Sequence, residues 1–279
     1  MKKPMNDGNE IIQIKILGCS GGIGGELRTT SILVDNDILI DAGTGLGDLS
    51  MDELLAIDHI LITHSHLDHI AFLPFLLDTV MGFRAKPVTV HATIETITTL
   101  RTHMFNWKIW PDFNVIPDMT QPLLIYNEVK LGETLTLNGR KFTPLPANHV
   151  VPAVGYHVDS GEASLVFTGD TTTCDALWLE VNKIENLKYL IIETAFSNSE
   201  LELAKLSKHL CPSLLITELG KLDVSNMQQA VEIYITHLKP GVSKSIMQEI
   251  SNNHMKLSVQ ALRKNQILKL YRQRLQGQT

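Results

Sequence analysis

Between positions 63 and 69 the chain reads Thr63-His64-Ser65-His66-Leu67-Asp68-His69, directly behind the apolar run Ile60-Leu61-Ile62. In an extended chain alternate side chains point the same way, so His64 and His66 can reach one cation together. A turn into a helix beginning near Ile70 swings Asp68 and His69 toward a second position. Donors packed this tightly repel one another or stay unsatisfied unless cations lie between them. Such a site needs further ligands from distant parts of the chain, each at the end of a strand. The sequence supplies three in order. His149 follows a strand ending at Leu145, Asp170 ends the run Leu165-Val166-Phe167-Thr168 through a Gly169-Asp170 turn, and His237 follows Ile233-Tyr234-Ile235-Thr236.

Elements that position these residues are legible as short apolar runs between Gly, Asp and Asn. Strands are expected at 11–17, 31–35, 38–41, 59–63 and 88–91, with Asp35-Asn36-Asp37 as a hairpin turn. A second series follows: a hairpin of 133–138 and 141–145 around Asn138-Gly139, then strands at 154–158, 164–168, 189–193, 214–217 and 233–236. Helices are expected at 70–81, with Pro74 in its first turns, and at 93–105, 174–184, 200–209 and 242–251. The run 258–275 is amphipathic and basic and reads as a surface or dimer-packing helix. Strands dominate both halves and helices close each, which suits two sheets packed face to face with helices outside. No linker divides the halves, so residues 1–279 read as one domain.

Composition narrows the partners. Hydrophobic residues make up 44% and charged residues 19%, the profile of a well-cored globular chain. The formal net charge of −6 disfavours long nucleic acids, whose binding rests on a basic surface, and favours a small substrate. No stretch is long and apolar enough for a membrane span, and residues 1–10 lack the pattern of a signal peptide, so a cytoplasmic location and no membrane contact are expected. Cys19, Cys174 and Cys211 form no C-x-x-C pair, which points to buried thiols rather than a thiolate zinc site.

Taken together, the His64–His69 segment, His149, Asp170 and His237 resemble the metallo-β-lactamase superfamily over nearly the whole chain. The resemblance implies an α/β (α+β) four-layer αββα sandwich. It places His64, His66 and His149 on one ion, Asp68, His69 and His237 on the other, and Asp170 between them. Five imidazoles and two carboxylates suit Zn²⁺, with Mn²⁺ or Fe as alternatives. Asp41, in Leu39-Ile40-Asp41-Ala42-Gly43, resembles the aspartate that orients a ligand histidine from behind. Two ions can acidify a water and clamp phosphodiester oxygens, but the leaving alkoxide needs a proton from elsewhere. Glu193, ending the strand before Thr194-Ala195-Phe196, and His209, in Ser207-Lys208-His209-Leu210, resemble the Glu-and-His pair of phosphodiesterase branches. His209 is expected as general acid and Glu193 as its orienter, with Asp68 completing the catalytic set.

The wording of Thr63 to Ile70, Phe105-Asn106-Trp107, Ile109 to Phe113, Val151 to Tyr156 and Thr236-His237-Leu238-Lys239-Pro240 is similar to the class II cyclic-nucleotide phosphodiesterases. That likeness implies hydrolysis of cAMP and cGMP to 5′-nucleotides by a homodimer. The alternatives are a ribonuclease Z-like tRNA 3′-processing endonuclease, a lactone or thioester hydrolase, and a non-enzymatic metal-binding scaffold. The acidic balance and the lack of a basic insertion weigh against the endonuclease, and the complete ligand set against the scaffold. The Gly-rich stretch Gly18 to Gly25 fits neither a P-loop nor a dinucleotide fingerprint. It reads as a tight loop near the metals. Phe105, Trp107, Trp110 and Phe113 read as core or dimer packing, with a base-stacking wall as the alternative.

Overall fold

The computed structural model describes residues 10–253 and 257–272. One sheet contains β1 (Glu10–Gly18), β2 (Ser31–Val34), β3 (Ile38–Ile40), β4 (His59–Leu61), β5 (Val88–Ala92) and β6 (Leu124–Glu128). The other contains β7 (Leu135–Leu137), β8 (Arg140–Pro146), β9 (Val154–Asp159), β10 (Ser164–Phe167), β11 (Leu187–Glu193), β12 (Glu232–Thr236) and β13 (Val259–Ala261). A last strand, β14 (Ile267–Arg272), returns to the first sheet and pairs antiparallel with β1. The sheet orders are β14-β1-β2-β3-β4-β5-β6 and β13-β12-β11-β10-β9-β8-β7. Each sheet joins an antiparallel stretch to a parallel one, with β3 and β10 at the changeover.

Both faces of the central strands are buried, which is why they read as continuous apolar runs. Ile12, Ile14 and Ile16 of β1, Ile32 and Val34 of β2, and Ile38 and Ile40 of β3 pack between the sheets against Tyr156, Val158, Leu165, Phe167 and Ile191. The alternate residues Leu33, Leu39 and Ile60 face outward. They pack in the layer of α1 (Met51–Ala56), α3 (Leu73–Val80) and α4 (Ile94–Thr99), while the short α2 (Leu67–Ile70) carries part of the histidine segment. Val166, Leu190, Ile192, Ile233 and Ile235 do the same on the second sheet, against α5 (Asp175–Val181), α7 (Pro212–Leu219) and α8 (Ser243–Ser251); α6 (Leu201–Leu206) lies just before α7. The four layers are therefore helix, sheet, sheet, helix, as the sequence implies.

Four expectations are corrected. Residues 214–217 lie in α7 rather than in a strand. Pro212 occupies its first turn, and Leu215 and Leu219 bury one face; a short apolar run does not distinguish the two states by itself. The expected helix at 258–275 is instead β13 and β14, with 273–275 outside the described residues. Ile267 to Tyr271 alternate outward and inward, and Leu268 and Leu270 fill the intersheet core, a period of two that a helix cannot use. The expected helix over 200–209 stops at Leu206, and Lys208 adopts a left-handed conformation (φ 52°) that ends it. The segment 70–81 also divides, into α2 and α3, with Pro74 in the first turn of α3. Helix α4 runs into a π-helical turn, Leu100–Met104. No helix among the described residues is long and apolar enough to cross a membrane.

Two polar ties fix the sheets at opposite edges. At one, the buried Arg140 guanidinium on β8 donates to Asp35 (2.7 Å) and Asp37 (2.6 Å) in the β2–β3 turn. At the other, the fully buried Tyr156 hydroxyl donates to the Ile62 carbonyl (3.1 Å), and the Val154 N–H donates to the Thr63 carbonyl (3.0 Å). This second tie holds the start of the histidine segment against the second sheet. Tyr156→Phe removes one donor and leaves the Ile62 carbonyl short of a partner, a cost of roughly 1–2 kcal/mol. Thermal unfolding of that variant is expected to show a Tm lower by roughly 2–6 °C, and an unchanged Tm contradicts the tie.

Candidate metal centre

The parallel strands put their C-terminal ends on one edge, and the chemistry-bearing residues leave from those ends. Asp41 follows β3, the His64–His69 segment follows β4, His149 follows β8, Asp170 follows β10, Glu193 ends β11 and His237 follows β12. Donor atoms of His64, His66 and His149 lie within 4.8 Å of one another, as do those of Asp68, His69, Asp170 and His237. Every residue expected at the site is thus brought to one place. Asp170 lies between the groups: Oδ1 is 3.4 Å from His69 Nε2, and Oδ2 is 3.1 Å from His237 Nε2 and 3.8 Å from His64 Nε2. His149 Nε2 is 3.1 Å from His66 Nδ1, and Asp68 Oδ2 is 3.0 Å from His237 Nε2.

Local backbone conformation makes this convergence possible. Gly169 (φ 62°) turns the chain sharply before Asp170. The Gly18–Gly25 loop passes close to His237, as expected: a Cβ on Gly21 would stand 2.5 Å from the His237 carbonyl oxygen and 2.7 Å from Nδ1. The Cys19 carbonyl accepts from the His237 N–H, and the Gly21 N–H donates to the Leu238 carbonyl. His237 is itself left-handed (φ 62°), a strained conformation that this loop holds in place.

A second layer orients the imidazoles. The buried Asp41 carboxylate accepts from the Thr63 N–H (2.8 Å) and hydroxyl and from His69 Nδ1–H (2.7 Å), which turns His69 Nε2 toward Asp170. His149 Nδ1–H donates to the Lys208 carbonyl (3.0 Å), which leaves Nε2 as its free donor atom. Lys208 Nζ donates in turn to the His149 carbonyl (3.1 Å) and to Asn148 Oδ1 (3.2 Å). The orienting roles of Thr63 and Lys208 go beyond the residues expected from the sequence. Thr63 sits inside the histidine segment, where a hydroxyl beside Asp41 is a usable signal. Lys208 acts through a left-handed carbonyl, which leaves none.

Charge and burial explain why the cluster suits cations. Burial, with the neighbouring His69, pushes His64 well below its ordinary value, and burial brings His149 down to about 4, so both rings are neutral lone-pair donors. Burial also opposes charge on Asp170, yet His237 and His69 hold its carboxyl well below the usual carboxylate range. His237 is likewise desolvated, but Asp170 and Asp68 lift it to about 10. Among the described residues, buried His64 Nε2, His69 Nε2, Asp170 Oδ2 and His237 Nδ1 have no hydrogen-bond partner. Buried polar atoms are normally satisfied, and neutral imidazoles with carboxylates form an N/O donor set that divalent metals take. The residues fit a metal centre.

His209 and Glu193 stand at the rim of this cluster. His209 Nδ1–H donates to Glu193 Oε1 (2.7 Å), whose fully buried carboxylate also accepts from the Thr171 N–H (3.1 Å) and the Leu210 N–H (3.2 Å). The His209 ring centroid lies 4.9 Å from that of His149 and 5.0 Å from that of His237. One carboxylate therefore ties the Asp170 turn to the His209 segment. Thr171 serves this network, its hydroxyl accepting from the Asn148 N–H, and no side chain caps α5. Arg28 pairs with Asp48 (3.0 Å) at the surface. Phe105 and Phe113 are core residues, whereas Trp107 is 64% exposed.

Known proteins carry the same architecture. A probable 3′,5′-cyclic-nucleotide phosphodiesterase of Yersinia pestis is 26% identical over 87% of this chain and 84% of its own length. The endoribonuclease ysh1 of Schizosaccharomyces pombe is 27% identical over 59% of this chain, and the match spans 23% of that protein. Unliganded yeast PDE1 superposes with a TM-score of 0.77 at 20% identity, covering 93% of this chain and 99% of that one, a likeness of fold. The pattern of the β-lactamase superfamily domain matches residues 36–240. That match runs from the β2–β3 turn to just beyond His237 and takes in the whole cluster, so the chain belongs to the β-lactamase superfamily as a metallo-β-lactamase-fold hydrolase.

Proposed function

We propose that the chain hydrolyses 3′,5′-cyclic nucleotides to 5′-nucleotides at a dinuclear metal site, with Zn²⁺ as the first candidate and Mn²⁺ or Fe as alternatives. The observation that carries this reading is the His209–Glu193 pair, 2.7 Å apart and packed against the His149 and His237 rings. A phosphodiester that leaves as an alkoxide needs a proton, and this pair stands where it can supply one. His64, His66 and His149 would hold one ion, Asp68, His69 and His237 the other, and Asp170 would contact both. The ions would supply Lewis-acid activation of water and neutralise charge on the phosphoryl oxygens.

The chain's own residues supply the rest. Glu193 accepts the Nδ1 proton of His209, so Nε2 is the nitrogen that donates to the departing 3′ oxygen as the P–O3′ bond breaks. Asp68, whose side chain is 30% exposed, is the most accessible of the carboxylates in this cluster and accepts the proton of the attacking water. The Yersinia relative supports the substrate, since its match covers most of both chains. RNA cleavage is the second reading, carried by the endoribonuclease relatives.

Metal-loaded protein assayed on cAMP, cGMP, a generic phosphodiester and a precursor tRNA separates these readings. Turnover of cyclic nucleotides is expected, and cleavage of the tRNA without them contradicts the proposal. His209→Ala is expected to lower kcat by about 10²–10⁴-fold with metal content retained. Metal loss equal to the activity loss would instead make His209 a ligand.

A further inference from the structure

β4, β5 and β6 run parallel, so the residues after β5 and β6 emerge on the edge that carries the histidine segment. There they meet the 147–154 loop and enclose a cleft of about 520 Å³ that has His149 in its wall. Its size lies within the range of small-ligand sites. Ile94, Leu131 and Val150 line it with side chains 49%, 56% and 49% exposed, apolar surface open to a flat ring. Glu95 and Glu128 line it as well, and neither carboxylate has a hydrogen-bond or ion-pair partner among the described residues. Lys130 is the one lysine or arginine in the lining.

Two carboxylates repel phosphate, so the phosphoryl end of a substrate belongs at the His/Asp cluster and not in this cleft. A group that carries no negative charge and presents N–H donors suits this cleft, because carboxylates only accept hydrogen bonds. A polynucleotide would bring further phosphates toward Glu95 and Glu128, whereas a mononucleotide brings only its base and ribose. Guanine carries N1–H and the exocyclic amine side by side, matching the two oxygens of one carboxylate. Adenine sets its amine beside a ring nitrogen that is itself an acceptor, which faces the second oxygen with a lone pair.

We infer that this cleft is the base subsite and that Glu95 and Glu128 select guanine over adenine. The inference rests on the phosphodiesterase reading and specifies the substrate within it. Its test compares kcat/KM for cGMP and cAMP in the metal-loaded wild type, Glu95→Gln, Glu128→Gln and the double variant, beside equilibrium binding of GMP and AMP to each. An amide offers one acceptor and one donor where the carboxylate offers two acceptors. The wild type is expected to favour cGMP. The cGMP/cAMP ratio should fall about tenfold in the double variant and in at least one single variant, chiefly through KM. Both glutamates are exposed, and thermal unfolding of each variant verifies that the fold is kept. A wild type without preference, or a ratio unchanged in the double variant, overturns the inference and leaves the phosphodiesterase reading standing. Glutamate-dependent preference for GMP without turnover of either cyclic nucleotide does the reverse, and loss of both signals retires both.

Discussion

Asp170 is buried to 2% exposure among imidazoles, and a carboxylate in that position is tolerable only with positive charge around it. The rest of the site follows from this constraint. His69 and His237 provide part of the compensation by taking up protons, and His64, neutral and deeply buried, cannot. Protons and divalent cations compete for the same donors, and a cation between them satisfies several at once. The β-strands exist in an order that brings these groups to one edge, and the polar ties at Tyr156 and Val154 hold the two sheets in register there.

Around that centre the orienting groups form a continuous network. Asp41 and Thr63 aim His69, the Lys208 carbonyl aims His149, and Glu193 joins Thr171, His209 and Leu210. Asp41, Thr63 and Glu193 stand at or just beyond strand ends, and Lys208 in a left-handed turn. The arrangement matches a general requirement of metal and acid catalysis, that ligands be placed by a rigid outer layer before substrate arrives.

Legibility in the sequence followed the range of the interaction. The His64–His69 segment is local, so its purpose is apparent from spacing alone. His149, Asp170 and His237 were recoverable because each follows a strand, and the family resemblance assigned them. Glu193 and His209 were paired across distance on the same ground. Lys208 was not recoverable, since its role runs through a carbonyl in a left-handed turn that no side-chain pattern announces. The C-terminal strands escape the sequence for a different reason. Lys, Gln and Leu in 258–275 satisfy a helical pattern as readily as a strand, and only the free edges of both sheets settle the choice. The helix at Pro212–Leu219 was likewise decided by packing against α5 and α8 rather than by its own apolar residues.

Acidic overall charge, an edge rich in imidazoles and a cleft lined by two glutamates without partners among the described residues support the proposal of a small, singly phosphorylated substrate. All of it presupposes cations at the His/Asp cluster. Elemental analysis of the folded protein, purified in the presence of divalent metal and then freed of excess, tests this most directly. The account predicts two ions per chain. One ion or none in fully folded protein would contradict it.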